Sequence, residues 1–134
     1  MHHRCLVVFA VMSLLAAGCV DKTKGIVTGE VTVNGAKPER NGYISFIPVD
    51  GKGSTSGGEI ADGKFEFESK VGMKRVEIRI PKVTGQKKLY NTPDSPIKDL
   101  MDESIDAKFN DNSEIQYEVV PGTQVINYDV TQKK

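Results

Sequence analysis

Apolar and polar residues alternate in short segments along most of this 134-residue chain, and that pattern constrains the fold more than any other feature. Alternation at period two is typical of β-strands that bury one face. Seven such strands, separated by turn residues, predict an all-β, antiparallel sandwich. The predicted strands are 27–33, 43–49, 54–61, 64–68, 73–80, 115–119 and 126–130.

Pairs of turn-forming residues separate these strands. Asn34-Gly35 follows the first strand, Asp62-Gly63 predicts a tight hairpin, and Pro121-Gly122 precedes the last strand. A proline cannot donate a ladder hydrogen bond, so we expect Pro48 and Pro81 at strand ends or edges.

The segment between Pro81 and Glu114 breaks the alternation. Ser95 is a suitable helix cap, Pro96 suits a first helical position, and apolar residues follow at helical spacing. This pattern predicts a short amphipathic helix in the long loop before the last two strands, docked on one end of the sandwich by its apolar stripe. The stripe consists of Ile97, Leu100, Met101 and Ile105.

The N-terminal segment has the organisation of an export signal. A basic start at Arg4 precedes thirteen uncharged residues, 5–17. As a helix these would measure about 20 Å, which is too short for a bilayer core of about 30 Å. Leu15-Ala16-Ala17-Gly18 then leads directly into Cys19.

Residues 15–19 resemble the lipobox of bacterial lipoproteins. The resemblance implies cleavage between Gly18 and Cys19 and a diacylglycerol thioether on the Cys19 sulfur. The alternative is an ordinary signal peptide that leaves an incidental cysteine. On the first interpretation the chain divides into a signal peptide (1–18), a lipidated cysteine with its tether (19–25) and a β-sandwich domain (26–131).

This division predicts an extracytoplasmic protein that is held at a membrane by lipid on Cys19. Val20, and not an aspartate, follows the cysteine, which favours the outer membrane over the cytoplasmic membrane by the sorting rule of some lipoproteins. The six tether residues that follow Cys19 span at most about 20 Å, so we expect the domain to sit close to the bilayer.

Composition excludes several classes of function. Cleavage leaves 116 residues with 17 basic and 18 acidic side chains, a balance that argues against a nucleic-acid partner. His2 and His3 are the only histidines and leave with the signal, as does Cys5. The remaining chain therefore lacks residues for Ser-His-Asp or Cys-His catalysis, for a histidine or cysteine zinc site, and for a disulfide. We expect no cofactor.

A series of weak motifs runs through the domain in a fixed order, and together they resemble the bacterial carboxypeptidase-regulatory-like (transthyretin-like) domain of lipoproteins. The resemblance implies a small Greek-key sandwich without catalytic activity, and it assigns no site residues because the shared motifs are turns and core positions. The matching segments are 29–38, 42–48, 61–65, 71–81, 105–110 and 118–130.

Charged side chains offer two candidate binding sites. Acidic residues crowd the segment 94–111 and could provide oxygen ligands for calcium, although their spacing matches no calcium loop and a solvated acidic face is the simpler interpretation. Lys82, Lys87 and Lys88 could contact anionic lipid headgroups, or form an ordinary charged loop. The acidic residues are Asp94, Asp99, Asp102, Glu103, Asp106 and Asp111.

Two further groups would suggest an enzyme or a glycan-binding module. Glu66 and Glu68 share one strand face, as paired carboxylates of a glycosidase could, but alternation places them on the solvent side. Tyr43, Tyr90 and Phe109 could stack on sugars, whereas core or loop-packing roles explain them as well.

The sequence therefore predicts a lipid-anchored, non-catalytic β-sandwich that serves as a binding or structural module of the bacterial cell envelope. We expect its partner, an envelope protein or a glycan, to contact the segment 82–112 or an exposed strand edge. A carboxylate-only hydrolase and a carbohydrate-binding module are the alternatives. The oligomeric state stays open.

Overall fold

The computed structural model describes residues 18–134. Residues 1–17 of the predicted signal peptide (1–18), with its uncharged stretch and Cys5, lie outside the described residues. Ten strands and one turn of 3₁₀ helix at Ala107–Phe109 make up the regular structure. The strands are β1 (Lys24–Val33), β2 (Gly42–Pro48), β3 (Ser56–Ile60), β4 (Lys64–Lys70), β5 (Gly72–Arg79), β6 (Pro81–Lys88), β7 (Ile97–Glu103), β8 (Gln116–Val119), β9 (Gly122–Val125) and β10 (Tyr128–Val130).

Two four-stranded sheets face each other and form an all-β sandwich. In one sheet, β1 lies between β4 and the successive strands β9 and β10; the other has the order β3-β2-β5-β8. The prediction of an all-β sandwich is confirmed. Pairing of β1 with β9 and β10 is parallel, and not antiparallel as predicted. After β8 the chain crosses to the sheet that contains β1, and β9 starts at the end of that sheet where β1 also starts. The two strands therefore run in the same direction.

The core lies between the two sheets and follows the predicted alternation. In β4, for example, Phe65 and Phe67 point inward while Lys64, Glu66 and Glu68 point to solvent. The Phe46 ring meets the Phe67 ring edge-on at 5.0 Å between centroids. The buried apolar side chains are Val27, Val31, Ile44, Phe46, Ile60, Phe65, Phe67, Val76, Ile78, Ile80, Ile105, Val119 and Val130.

The predicted turns are confirmed by left-handed backbone conformations. Asn34 and Gly35 have φ values of 51° and 79°, and Asp62 and Gly63 have the same pair of values. Positive φ at both central residues is the geometry that a two-residue hairpin requires. The prolines also lie where expected, since Pro48 ends β2 and Pro81 begins β6.

Each of the seven predicted segments contains a strand, and the structure adds β6, β7 and β9. The last predicted strand, 126–130, corresponds to β10. The chain runs along β1 from β9 to β10, and an irregularity at residues 126–127 separates these two strands. There the Ile126 amide donates to the Thr28 carbonyl at 2.9 Å, and the Asn127 side chain accepts from the Glu30 amide at 2.9 Å.

The helix predicted from Ser95 is wrong. Residues 97–103 form β7, which pairs with β6, and Leu100 lies on the opposite face from Ile97 and Met101. A helix of this length is marginal in water unless its apolar stripe is buried. The Ile97, Leu100 and Met101 side chains are exposed, whereas Ile105, the fourth residue of the predicted stripe, is buried in the core beyond the end of β7. The sandwich therefore gives the first three nothing to pack against, while β6 supplies backbone partners.

The strand directions define two ends of the sandwich. At the tether end, β1, β5 and β9 begin, and β2, β4 and β8 finish. At the opposite end, β5 leads into the two-stranded sheet β6–β7, so we name it the arm end. Among residues 18–134 the buried apolar side chains lie between Val27 and Val130, so the chain from Cys19 onward contains all of this core.

Candidate binding site: a projecting hairpin and the clefts at its root

Residues 81–103 form a long hairpin, the arm, whose strands pair only with each other in the described part of the chain. Register runs from Pro81 opposite Glu103 to Lys88 opposite Ile97, with a bulge between Val83 and Gly85. Both outer edges therefore present unpaired backbone amides and carbonyls. Edges of this kind are the surfaces on which an extended partner segment can add as a further strand.

One carboxylate organises the root of the arm. The Glu103 Oε1 atom accepts hydrogen bonds from the amides of Ile80, Ser104 and Ile105 at 2.9, 3.0 and 3.3 Å. The Ser104 amide also donates to the Ile80 carbonyl at 2.9 Å. These bonds hold residue 80, where the chain enters the arm, beside residues 104–105, where the chain returns to the sandwich. The arm is therefore attached to the sandwich at a fixed point.

The tip of the arm is a compact turn around Ser95, which is nearly buried. Its hydroxyl oxygen accepts from the Tyr90 amide at 2.7 Å, and the Leu89 amide donates to the Pro96 carbonyl at 3.0 Å. The tip is thus ordered by local hydrogen bonds while its large side chains remain outside. Tyr90 is 65% exposed and Ile97, beside it, is 62% exposed.

The arm combines exposed apolar groups with segregated charge. Strand β6 carries Lys82, Lys87 and Lys88, and β7 carries Asp99, Asp102 and Glu103 together with Lys98. A Gln86 to Asp99 hydrogen bond of 2.9 Å crosses between the strands. The exposed apolar side chains are Leu89, Tyr90, Ile97, Leu100 and Met101. An isolated two-stranded hairpin is marginally stable in water, so this composition is typical of a surface that a partner covers.

A cleft of about 550 Å³ lies between the root of the arm and the outer face of the β2–β5 sheet. Tyr43 and Arg79 line it from the sheet, and Pro81 and Met101 line it from the arm. The Arg79 guanidinium donates to Asp111 at 2.7 Å, and this contact raises the pKa of Arg79. The cleft therefore offers an exposed ring and an apolar wall beside an Arg79 side chain that is paired with Asp111, and the acids Asp102 and Glu103 also line it.

A second cleft of about 430 Å³ lies between the connection 34–40 and the first residues of β6. Its charged side chains are Lys37, Arg40 and Lys82, with Glu39 as the single acid. Lys82, Lys87 and Lys88, for which the sequence allows either lipid contact or an ordinary charged loop, thus lie on the arm, at the end of the sandwich away from the tether.

The acidic residues of the segment 94–111 do not converge. Asp99 bonds to Gln86, Glu103 holds the arm root, Asp106 accepts from Thr131 at 3.3 Å, and Asp111 pairs with Arg79. Within residues 18–134, no three acidic or metal-ligating side chains lie close enough together to hold a metal ion.

The paired carboxylates and the rings occupy separate surfaces. Glu66 and Glu68 point to solvent from β4, and Glu68 pairs with Lys24 at 2.7 Å. Tyr43 is exposed in the cleft and Tyr90 is exposed at the arm tip, whereas Phe109 is half-buried against the core. No surface brings these rings into one row.

Cys19 is exposed and lies four residues before the first hydrogen bond to the sandwich, which the Val71 amide donates to the Thr23 carbonyl at 3.0 Å. Within this link, the Thr23 hydroxyl and amide donate to Asp21 and lower its pKa. No helix among the described residues is long and apolar enough to cross a membrane.

No family model, no curated protein and no solved structure matches this chain. The helix prediction rests on the helical spacing of Ile97, Leu100, Met101 and Ile105, which does not indicate the arm. A signal that favours a hairpin is the turn-forming cluster 91–95 (Asn-Thr-Pro-Asp-Ser) between two largely polar segments of similar length, which form β6 and β7.

Proposed function

We propose that this chain is a lipid-anchored, extracytoplasmic, non-catalytic β-sandwich of the transthyretin-like, carboxypeptidase-regulatory-like type, with seven of its strands in a Greek-key arrangement. It acts as a binding module of the bacterial cell envelope. The observation that carries the proposal is the polarity of the molecule: the exposed Cys19 is at one end, and an arm with exposed apolar side chains leaves the other.

The anchor supports the location. The lipobox-like sequence precedes a cysteine that is exposed and only four residues from the fold. A thioether-linked diacylglycerol with a further acyl chain on the freed amine gives two or three chains, which is enough for stable membrane attachment. Val20 after the cysteine favours the outer membrane.

The absence of histidine from residues 19–134 supports a non-catalytic role, because it removes the commonest general base. The carboxylates that remain are dispersed on the surface, in ion pairs such as Glu68 with Lys24 or in structural roles such as Glu103 at the arm root. A glycosidase would need two acids facing one cleft.

The arm supports a binding role and favours a protein partner over a glycan. Its two open edges can accept a strand, and its exposed apolar side chains can fill pockets of a partner. A glycan surface would instead need several rings in one plane, whereas Tyr43 and Tyr90 stand at the root and the tip of the arm.

Two measurements in intact cells test the proposal. The mass of the mature N-terminus is expected to show cleavage before Cys19 with acyl groups attached, and Cys19→Ser is expected to abolish membrane retention. A photo-crosslinker at Ile97 is expected to capture one defined envelope protein, whereas the same group at Glu66 on the sandwich face captures none. An unacylated mature chain, or equal capture from both positions, would contradict the proposal.

A further inference from the structure

Most of the exposed large apolar side chains among the described residues fall into two groups, and Ile26 and Val125, on the outer face of β1 and β9, lie outside both. One group belongs to the arm and its root. The other lies at the tether end, although its members come from four separate parts of the chain: the tether, the β2–β3 connection, the β4–β5 turn with the start of β5, and the β8–β9 turn. They are Val20 (63% exposed), Val49 (49%), Val71 (37%), Met73 (45%) and Val120 (45%).

Backbone contacts bring these separate segments together at one end. The Val71 amide donates to the Thr23 carbonyl at 3.0 Å, and the Val49 amide donates to the Met73 carbonyl at 3.2 Å. Gly25 packs so closely on the β8–β9 turn that a Cβ there would lie 2.2 Å from the Val120 carbonyl oxygen. The apolar side chains therefore surround the point at which the tether leaves.

The lipid proposed on Cys19 indicates what covers this end. Cys19 is exposed and lies four residues before Thr23, the first residue that is hydrogen-bonded to the sandwich. From Cys19 to Thr23 an extended chain reaches at most about 14 Å. Acyl chains on Cys19 would therefore bring the tether end to the headgroup layer.

Charge at this end suits a position at a bilayer surface. Lys22, Lys24, Lys52 and Lys70 lie beside the acids Asp21, Asp50 and Glu68. Lysine stems can cover apolar surface while their ammonium groups stay in the headgroup region. The net charge is small, so apolar insertion, and not attraction to anionic lipid, is the main contribution.

We propose that the tether end is a second membrane contact, in which Val49, Val71, Met73 and Val120 enter the interfacial layer of a lipid bilayer. The inference rests on the proposed lipid anchor and adds an orientation to it. The ten residues of β1 at about 3.3 Å each then place the arm root roughly 30 Å above the membrane, with the arm in reach of partners.

The chain is well suited to a direct test, because residues 19–134 contain one cysteine and no tryptophan. The chain from Cys19 is coupled through its thiol to a maleimide lipid in phosphatidylcholine vesicles that contain brominated acyl chains. Single Val71→Trp and Val120→Trp variants report insertion by quenching, and Leu100→Trp on the arm and Val125→Trp on the outer face of β9 are the controls.

We expect severalfold stronger quenching and a blue-shifted emission for Trp at positions 71 and 120 than at 100 and 125. Equal, weak quenching at all four positions would overturn the inference. Because the lipid is attached chemically, this result does not depend on whether cells acylate Cys19, so a failed anchor and a failed contact surface give different results. Thermal unfolding verifies that each variant is folded.

A second measurement uses Cys19→Ser, which has no lipid, and follows its partition onto plain phosphatidylcholine vesicles. Burial of one valine side chain corresponds to about a tenfold change in partition, so adding Val71→Asp is expected to lower binding by about that factor. Val125→Asp, as the control, is expected to leave it unchanged. Equal losses for both, or none for Val71→Asp, would contradict the proposal.

Discussion

Single side chains and single glycines determine where the strands of this sandwich can turn and meet. Asp129 of β10 accepts hydrogen bonds from the Thr32 hydroxyl at 2.7 Å and from the Gly35 amide at 2.9 Å. It thereby joins the last strand to the Asn34-Gly35 turn. The Thr32 bond, followed by the Gly35 bond, lowers the pKa of Asp129 below that of an unperturbed aspartate.

This lowered pKa predicts how the turn responds to acid. A carboxyl whose folded pKa lies below its unfolded pKa stabilises the fold above the unfolded value, and this contribution is lost as pH falls through the folded value. We therefore expect the Gly35 and Thr32 NMR signals to titrate with a midpoint below the ordinary aspartate pKa of about 3.9. Asp129→Asn, which keeps an acceptor but does not titrate, should remove that transition. A midpoint above the ordinary aspartate pKa would contradict the assignment.

A second prediction concerns Gly29, where β1 passes the irregularity between β9 and β10. A Cβ at this position would lie 1.7 Å from the Ile126 carbonyl oxygen, which is backbone and cannot move aside cheaply. Gly29→Ala is expected to lower the free energy of unfolding by about 1–3 kcal/mol or more, as overpacking does. Gly85→Ala, whose Cβ would lie 3.7 Å from Leu100, is the matched control in urea unfolding and is expected to cost less.

At the scale of elements, the sequence predicts strands well and the arm badly, for one physical reason. In the sandwich, alternation is enforced by burial, so Phe65 and Phe67 point inward as their spacing predicts. In the arm nothing is buried except Ser95, so side-chain spacing carries no information about which backbone partner is present. The pairing of Ile97 with Lys88 depends on a turn and a bulge, which leave only a weak composition signal.

The arm root predicts a local effect of Glu103. Replacing it with alanine removes the acceptor of three amides, and leaving such groups unsatisfied costs roughly 1–3 kcal/mol locally. Hydrogen exchange at Ile80 and Ile105 is therefore expected to accelerate in Glu103→Ala, while Ile78 in the core stays protected. Glu66→Ala, an exposed change on β4, is the control. Unchanged exchange at Ile80 would contradict the role assigned to this carboxylate.

At the scale of the whole molecule, one rigid unit separates two surfaces of different character. The proposed anchor can be inferred from sequence because the lipobox-like residues 15–19 are a local signal. The surface around Cys19 cannot, since Val49, Val71 and Val120 are distant in sequence and meet only through the folded strands. Which end of the sandwich a side chain occupies is provided only by the three-dimensional structure.

The separation predicts that the arm can be removed without loss of the fold. The Ser104 amide donates to the Ile80 carbonyl at 2.9 Å, so the chain ends are already adjacent where the arm leaves. Replacing residues 81–103 with Asn-Gly, a favoured two-residue hairpin turn, deletes no core side chain. The deletion also removes Glu103, the acceptor of the Ile80 and Ile105 amides, so we expect the free energy of unfolding to fall by about 1–3 kcal/mol. By contrast, Phe46→Ala is expected to cost about 3–5 kcal/mol.

The same arm-less chain connects stability to function. It should keep membrane attachment through Cys19 and the tether end, yet lose the partner that a crosslinker at Ile97 would capture in the intact protein. Denaturant unfolding, membrane fractionation and crosslinking from the surviving cleft residue Tyr43 measure the three properties separately. If the arm-less chain unfolds as readily as Phe46→Ala, the arm is part of the folding unit. If it still captures the same partner through Tyr43, binding resides in the sandwich and not in the arm.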